Sequence, residues 1–388
     1  MDRHDHEPEA PSGSDQLDRL RDAIDDVDRR LLDLLAERRD LVAAVARWKT
    51  EHGVPVYVPA REAALLEARR REAAARGVSP DLVEDLLRRI MRESYRAEGD
   101  HGYRCVLDDP RPVVVVGGHG AMGRLLGDLF ARSGYPVRVL GEDDWDRADD
   151  LMAGAGLVLV SVPIDRTAAV IDRLRGRVPA DAVLADVTSR KAEPVAAMLA
   201  AHAGPVVGLH PMFGPGTGSL AKQVVVRCAG RDGAAAAWLA DQLRIWGATV
   251  VDVDPDEHDR AMALVQALRH FTTFVYGRHL QQEDADLAAM LAVSSPIYRL
   301  ELAMTGRLFA QDPELYGDII FGSDEGLALT ERYGARFAEA VDMYRRGDRD
   351  QFRREFASVR DWFGPLAAAF LAESNALLAQ ADDRVDRS

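Results

Sequence analysis

The chain carries two cysteines in 388 residues, Cys105 and Cys228. That is too few for a disulfide framework, and no Cys-x-x-Cys pair offers a metal knuckle or a redox couple. A reducing cytoplasm is the expected compartment, and no metal site is expected. Long apolar runs are missing too: none approaches the roughly 20 residues needed to cross a bilayer. The N-terminal stretch MDRHDHEPEAPSGSD lacks the apolar centre of a signal peptide, and residues 1–15 are expected to be a disordered tail. Positive charge is in short supply. The 49 Lys and Arg face 64 Asp and Glu, a formal net charge of −15, which argues against nucleic acid and anionic membrane as partners. Small anionic ligands stay open, since a few well-placed cations suffice and salt screens the acidic exterior within roughly 8 Å.

What is present is most informative at Gly118-His119-Gly120-Ala121-Met122-Gly123. This stretch follows the apolar run Val113–Val116 and leads into a helical pattern, the strand–turn–helix order of a dinucleotide site. Gly118 is expected to make the sharp turn and Gly120 to let a pyrophosphate approach backbone. Gly123 is expected to let the helix pack on the strand, and the helix start offers free N–H groups to phosphates. Glu142 stands 19 residues beyond Gly123, close to where a carboxylate binds ribose hydroxyls. Asp143 and Asp144 follow, and which acid acts stays open. No Arg or Lys is positioned by sequence to meet a 2′-phosphate, so NAD is expected rather than NADP. Met122, Ser161 and Pro163 are expected beside the cofactor.

Three regions separate along the chain. Residues 16–99 carry helix signal and almost no strand signal: Leu20, Ile24, Val27, Leu31, Leu35, Val42 and Val45 recur at helical spacing. Gly53 and Pro55 stop this helix, Pro59 opens a second that ends at Gly77, and Ser79-Pro80 opens a third that ends before Gly99. Residues 100–111 form a polar linker. Over residues 112–255 short apolar runs alternate with helices, the pattern of a Rossmann-type doubly wound parallel sheet. Residues 256–388 are expected to be wholly helical, a substrate-binding and dimerisation domain. The fold class is therefore multidomain: all-α, then α/β, then all-α.

In the front helix Arg38 and Lys49 are eleven residues apart, about 20° out of phase, and share a face with roughly 16 Å between them. Val42 and Val45 lie between. Two cations flanking an apolar floor suit a small dianion. Arg21 is about 100° off that face and roughly 25 Å from Arg38, so a second subunit is needed to bring it in. The segment from Leu17 to Glu98 resembles the all-helical chorismate mutases, on LRDAIDDVDRRLLDLLAERRDL, the following lysine, PARE and ESYRAE. The resemblance implies that Arg21 (from the partner), Arg38 and Arg61 bind carboxylates and that Lys49 meets the substrate's ether oxygen. It implies that Glu62 receives the substrate hydroxyl, that Ser94 lies near the ring and that Glu98 contacts the ether oxygen. Glu98 stands where some members have glutamine, and it serves only when protonated, because an ionised carboxylate donates no hydrogen bond. Val58 replaces an acid found in one family pattern.

His210 follows the apolar run Val206–Leu209 and belongs at the C-terminal edge of the sheet, where ligands bind. Ser189 and Lys191 are expected to line the same crevice. His258 and His270, twelve apart, are expected on one face of the helix after Pro255, and Arg299 and Arg307, eight apart, on one face of another. The motifs GGHGAMG, SVPI, DVTSRK, GLHPMFGP, EHDRAMALVQALRHF and SSPIYRLELAMTGRLFAQDP resemble prephenate dehydrogenase. With the mutase in front, almost the whole chain from Leu17 resembles the bifunctional bacterial T-protein family. The resemblance implies an enzyme of tyrosine biosynthesis that turns chorismate into prephenate. It then oxidises and decarboxylates prephenate to 4-hydroxyphenylpyruvate with NAD. His210 is implied as the base, which must be neutral to act. Ser189 is implied to orient it, and Arg307 to bind a substrate carboxylate. His258, His270 and Arg299 are second-rank binding or inhibitor-response residues. A homodimer and feedback inhibition by tyrosine are also expected. Two other readings stay open here: an arogenate dehydrogenase, and a monofunctional dehydrogenase with a non-catalytic helical arm.

Overall fold

The computed structural model describes residues 13–382. The expected tail falls outside the described residues up to position 12, whereas its last three residues already belong to the first helix. That helix, α1 (Gly13–His52), ends where Gly53 takes a left-handed φ of 68°, a conformation open to glycine at little cost. Helix α2 (Pro59–Ala75) starts on its proline. In α3 (Pro80–Asp100) the Ser79 hydroxyl accepts from the Leu82 N–H and caps the start. This helix continues through Gly99, one turn-edge further than its sequence suggests.

The α/β part runs β1 (Val113–Val116), α4 (Ala121–Arg132), β2 (Val137–Leu140), α5 (Ala148–Met152), β3 (Leu157–Val160), α6 (Ile164–Arg173), β4 (Val183–Asp186), α7 (Ala192–Ala201), β5 (Val206–Pro211), β6 (Val224–Arg231), α8 (Ala237–Ile245) and β7 (Thr249–Asp252). The sheet order is β2-β1-β3-β4-β5-β6-β7. Strands β1 to β5 are mutually parallel, β6 pairs antiparallel with β5, and β7 is parallel to β6. All four residues of β1, β3 and β4 are buried, which is why these strands read as unbroken apolar runs. The order in which strands are added reverses between β1 and β3, and the crevice of a doubly wound sheet opens there.

The front helices share a core with this sheet. Val56 and Tyr103 bury against the cluster that holds Phe130, Leu243 and the fully enclosed Trp246. The Val56 N–H donates to the Ile245 carbonyl at 3.2 Å. The linker is pinned as well. The Gln242 amide donates to the Arg104 carbonyl at 3.1 Å, and its oxygen accepts from the Val106 N–H at 3.2 Å and the Tyr135 hydroxyl at 2.8 Å.

Helices α9 (Pro255–Met262), α10 (Arg269–Gln282), α11 (Leu287–Ala292), α12 (Pro296–Phe309), α13 (Pro313–Phe321), α14 (Asp324–Arg346), α15 (Arg349–Phe363) and α16 (Pro365–Asp382) follow. A π-helical stretch, Ala263–Leu268, joins α9 to α10. Among the described residues no helix is long and apolar enough to cross a membrane, and no group of acids, histidines and cysteines is arranged to hold a metal.

Candidate active sites

At the front, α1 and α3 are tied by two polar contacts. Arg38 donates to the Ser94 hydroxyl at 2.7 Å. Lys49 donates to Glu98 at 2.8 Å and to the Val56 carbonyl at 2.9 Å. Glu98 is buried, and burial pushes its carboxyl above the usual range, with Lys49 and then Arg38 pulling the other way. The floor between the cations differs from the expected one. Val42 is half-buried and Ala46 buried, but Val45 is 48% exposed, on a side of α1 left uncovered among the described residues. Glu62 is buried too, and accepts from the Tyr95 hydroxyl at 2.6 Å, from Lys222 at 2.5 Å and from Arg88 at 3.5 Å. Burial opposes its ionisation, yet the Lys222 and Tyr95 hydrogen bonds hold its carboxyl below the usual range.

At the β1–β3 switch the turn is made by Gly117, not Gly118: Gly117 has φ 80°. A Cβ there would stand 2.3 Å from the Ser161 carbonyl oxygen, and one on Gly123 would stand 2.7 Å from the Gly117 carbonyl oxygen. Gly118 is needed for a different reason, since a Cβ would press on Val139 at 2.9 Å. Gly120 caps α4, whose first N–H groups face outward from this cradle. The bare backbone fits a pyrophosphate and would not tolerate side chains. The Ser161 N–H is held by the Val116 carbonyl at 2.8 Å, and Pro163 caps α6. Of the acids after β2, Asp144 is spent on the turn, accepting from the Gly141 N–H at 2.9 Å. Glu142 is exposed and lies 3.5 Å from Arg166. That cation, 24 residues away, escaped the sequence reading; so exposed a pair contributes little.

At the end of β5, His210 is buried and belongs to a chain of three groups. Its Nδ1 lies 2.8 Å from His258 Nε2, and His258 Nδ1 lies 2.8 Å from Asp259 Oδ1. Asp259 is fixed by the Lys191 and Ala192 backbone N–H groups at 2.8 and 3.0 Å. Burial, the largest effect, opposes ionisation of Asp259, but His258 and these two N–H groups hold its carboxyl below the usual range. A carboxylate only accepts, so His258 carries its proton on Nδ1. Its Nε2 then accepts from His210 Nδ1–H, and the lone pair of His210 is left on Nε2. Gln266, from the π-helical stretch, places its amide nitrogen 3.2 Å from that Nε2. Burial, then His258, then Lys191 push His210 down to about 3, so it is neutral at working pH. π-Helical turns inside α-helices frequently mark functional positions.

Family comparisons match this layout. The family described as chorismate mutase type II matches residues 20–99. The prephenate dehydrogenase nucleotide-binding domain matches 140–251, and the prephenate dehydrogenase dimerization domain matches 254–358. The T-protein of Enterobacter agglomerans is 54% identical over 368 residues, covering 95% of this chain and 98% of that protein. The chain belongs to the T-protein family. The T-protein of Haemophilus influenzae is 49% identical over 364 residues, covering 94% and 97%. A crystal structure of prephenate dehydrogenase from A. aeolicus, in complex with hydroxyphenyl propionate and NAD+, shares the fold. Its TM-score is 0.55 at 18% identity, over 66% of this chain and 97% of that one. As a member of the T-protein family the chain is a bifunctional enzyme of tyrosine biosynthesis. It acts as a chorismate mutase and as an NAD-dependent prephenate dehydrogenase.

Several residues expected in these T-protein sites sit elsewhere. Ser189 does not orient His210. Its hydroxyl is buried without a hydrogen-bond partner among the described residues, and it lines a cleft of about 60 Å³ with Asp259, Gln266 and Ile319; His258 holds the ring instead. Lys191 does not face the crevice. It is fully buried, donating to Asp186 at 2.5 Å and to the Leu209 carbonyl at 2.6 Å, which anchors the strand just before His210. His258 and His270 do not share a face. Twelve residues leave them about 120° apart on a helix, and a π-helical stretch intervenes. His270 packs edge-on against Tyr316 at 4.8 Å, and burial, then Arg269, lowers it to about 4. Arg299 turns back to the Leu291 carbonyl and the Ser294 hydroxyl. Arg307 and Arg61 are exposed without side-chain partners among the described residues, and Arg21 is exposed beside Asp18 at 3.2 Å. Sequence reasoning passed over Asp259, Gln266, Tyr95 and Lys222. Asp259 was within reach, as the neighbour of His258 in EHDRAM; the others carry no local signal.

Proposed function

We propose that the two reactions divide among these residues as follows. The mutase reaction is a unimolecular rearrangement that needs no nucleophile, only a folded substrate and stabilised charge on the breaking ether oxygen. Lys49 and the protonated Glu98 donate to that oxygen. Arg38 and Arg61 hold the carboxylates of chorismate, together with Arg21 of a second copy. Glu62 accepts the ring hydroxyl, and Ser94 positions Arg38. The face of α1 left uncovered among the described residues, with Leu20, Ile24, Leu31 and Leu35 between 43% and 60% exposed, supports a homodimer, in line with the match of residues 254–358 to a dimerization domain.

In the dehydrogenase site His210 Nε2 takes the proton from the ring hydroxyl of prephenate. The C–H electron pair on the same carbon leaves as hydride; the ring carboxylate leaves as CO2, its bonding pair closing the aromatic ring, and His210 returns the proton to the ring oxygen, which gives 4-hydroxyphenylpyruvate. NAD, when bound, supplies the hydride acceptor. Gly118, Gly120, Met122 and Gly123 hold its pyrophosphate, Glu142 its ribose, and Ser161 and Pro163 flank it. Asp259 and His258 keep His210 in the tautomer that presents a lone pair. Lys191 supports this pocket through its backbone N–H to Asp259, Arg307 is the carboxylate ligand once substrate is present, and His270 and Arg299 stand second for binding or inhibitor response. Tyrosine is the expected feedback inhibitor, and the cytoplasm the expected location.

The observation that carries this reading is the Asp259–His258–His210 chain at the carboxyl edge of the sheet. The test mixes chorismate, NAD and the protein while following chorismate loss and NADH together. With His210→Asn, chorismate should still disappear, NADH formation should fall about 10²–10⁴-fold and NAD affinity should hold. NADH formation at the wild-type rate in that variant removes His210 as the base.

A further inference from the structure

The loop between β5 and β6 leaves the dehydrogenase sheet and reaches the mutase helices. Lys222, near its end, has φ 67°, and its N–H donates to the Gly247 carbonyl at 3.3 Å. A left-handed conformation is uncommon for a residue with a side chain and persists where the surroundings impose it. From there the ammonium donates to Glu62 Oε1 at 2.5 Å and lies 5.5 Å from the Tyr57 ring centre. On the Lys222 side of the pair is a cavity of about 290 Å³, lined by Arg88, Arg92, Tyr95 and Arg96 of α3 and by residues of the 217–223 segment opposite. Arg96 packs so closely on Gly218 that a Cβ there would meet its guanidinium at 2.5 Å. Loop and helix are therefore fitted to one another.

Glu62 is buried, so its charge needs a partner. The groups that face it are Tyr57, Tyr95, Arg88 and Lys222. Tyr95 donates without charge. Arg88 stands 3.5 Å away and is bound to Glu84 at 2.6 and 2.8 Å. Among the described residues the close cation comes from the other half of the chain. We propose that Lys222 is a positioning residue for the mutase reaction: it is carried by the dehydrogenase half, and it keeps Glu62 ionised and aimed. The proposal rests on the reading of Glu62 as acceptor of the substrate hydroxyl. Mutase efficiency then depends on how the β5–β6 loop, which begins just after His210, sits against α3.

The test uses the full chain with Lys222→Met, Lys222→Arg, Glu62→Gln and the double variant Lys222→Met/Glu62→Gln, assayed with chorismate from about pH 4 to 9. Lys222→Met should lower mutase kcat/KM about tenfold, while dehydrogenase kcat/KM with prephenate changes less than about twofold. The acid limb of the mutase profile should move to higher pH, because a carboxyl that loses its cation protonates sooner. Lys222→Arg should restore most of the rate, and should carry the test if the methionine variant does not fold. In the Glu62→Gln background Lys222→Met should cost almost nothing. An unmoved acid limb, or the same loss in both backgrounds, overturns the role of Lys222. Full mutase activity in Glu62→Gln alone overturns the reading of Glu62 instead.

Discussion

Glu98 gives the sharpest prediction. Its carboxyl is raised by burial, against the pull of Lys49 and then Arg38, so it holds its proton to higher pH than a free glutamate. Protonated, it donates to the ether oxygen of the substrate. As pH climbs through the raised value the proton leaves and two things are lost. The donor disappears, and the carboxylate that remains sits 2.8 Å from Lys49. At an effective dielectric of ~20 that separation corresponds to roughly 6 kcal/mol of attraction before desolvation, enough to tie Lys49 to Glu98 rather than to substrate. Losing one preorganised donor to a developing oxyanion costs about 10²–10³ in kcat, so mutase kcat should fall at least 10²-fold as pH rises. Glu98→Gln retains an N–H donor and carries no charge. Its kcat should stay level across that range and exceed the wild type on the alkaline side. The stability signs agree: a raised carboxyl favours the folded chain below its ordinary value, and that advantage is lost as pH rises through the raised one. The glutamine variant should therefore melt higher at alkaline pH. The assay follows chorismate absorbance at saturating substrate from about pH 5 to 9, with melting curves alongside. A glutamine variant that declines along the wild-type profile refutes the reasoning, as does one that is folded but inactive at every pH.

Other outcomes follow from the same geometry. Asp259→Asn should lower dehydrogenase kcat/KM about 10- to 100-fold, less than loss of the base itself, because His258 no longer has a fixed tautomer; mutase activity should be unchanged, and equal loss of both activities would point to misfolding instead. If a second copy supplies Arg21, then Arg21→Ala and Lys49→Ala chains should each be nearly inactive as mutases. Equal mixing makes half of the dimers hybrid, and half of the sites in a hybrid are intact, so refolded mixtures should regain about a quarter of wild-type activity. No recovery would confine each mutase site to one chain.

What the residues reveal locally, the sequence shows well. The apolar runs Val113–Val116 and Val206–Leu209 mark β1 and all but the last two residues of β5, since fully buried strands need unbroken apolar faces. The glycine spacing locates the cradle, although the left-handed turn falls one position earlier, on Gly117. Contacts between distant segments leave no such trace. His210 and His258 are 48 residues apart, and Lys222 and Glu62 are 160. Lys191 looks like a crevice cation because it lies two residues after Ser189, but its side chain folds under the sheet to Asp186. The antiparallel turn from β5 to β6 and the π-helical stretch before α10 are backbone choices set by packing. The second of these undoes phase arguments that assume an even helical pitch, and it is what brings Gln266 to His210.

Because Val56, Tyr103 and Trp246 bury one another, and Gln242 stitches the linker down, the two halves are not beads on a string. Cutting the chain at residues 100–111 would lay bare an aromatic scar on each piece, and neither piece would inherit a surface suited to water. Rearranging such a gene therefore takes more than moving a boundary, since each product would need several compensating changes before it stayed in solution.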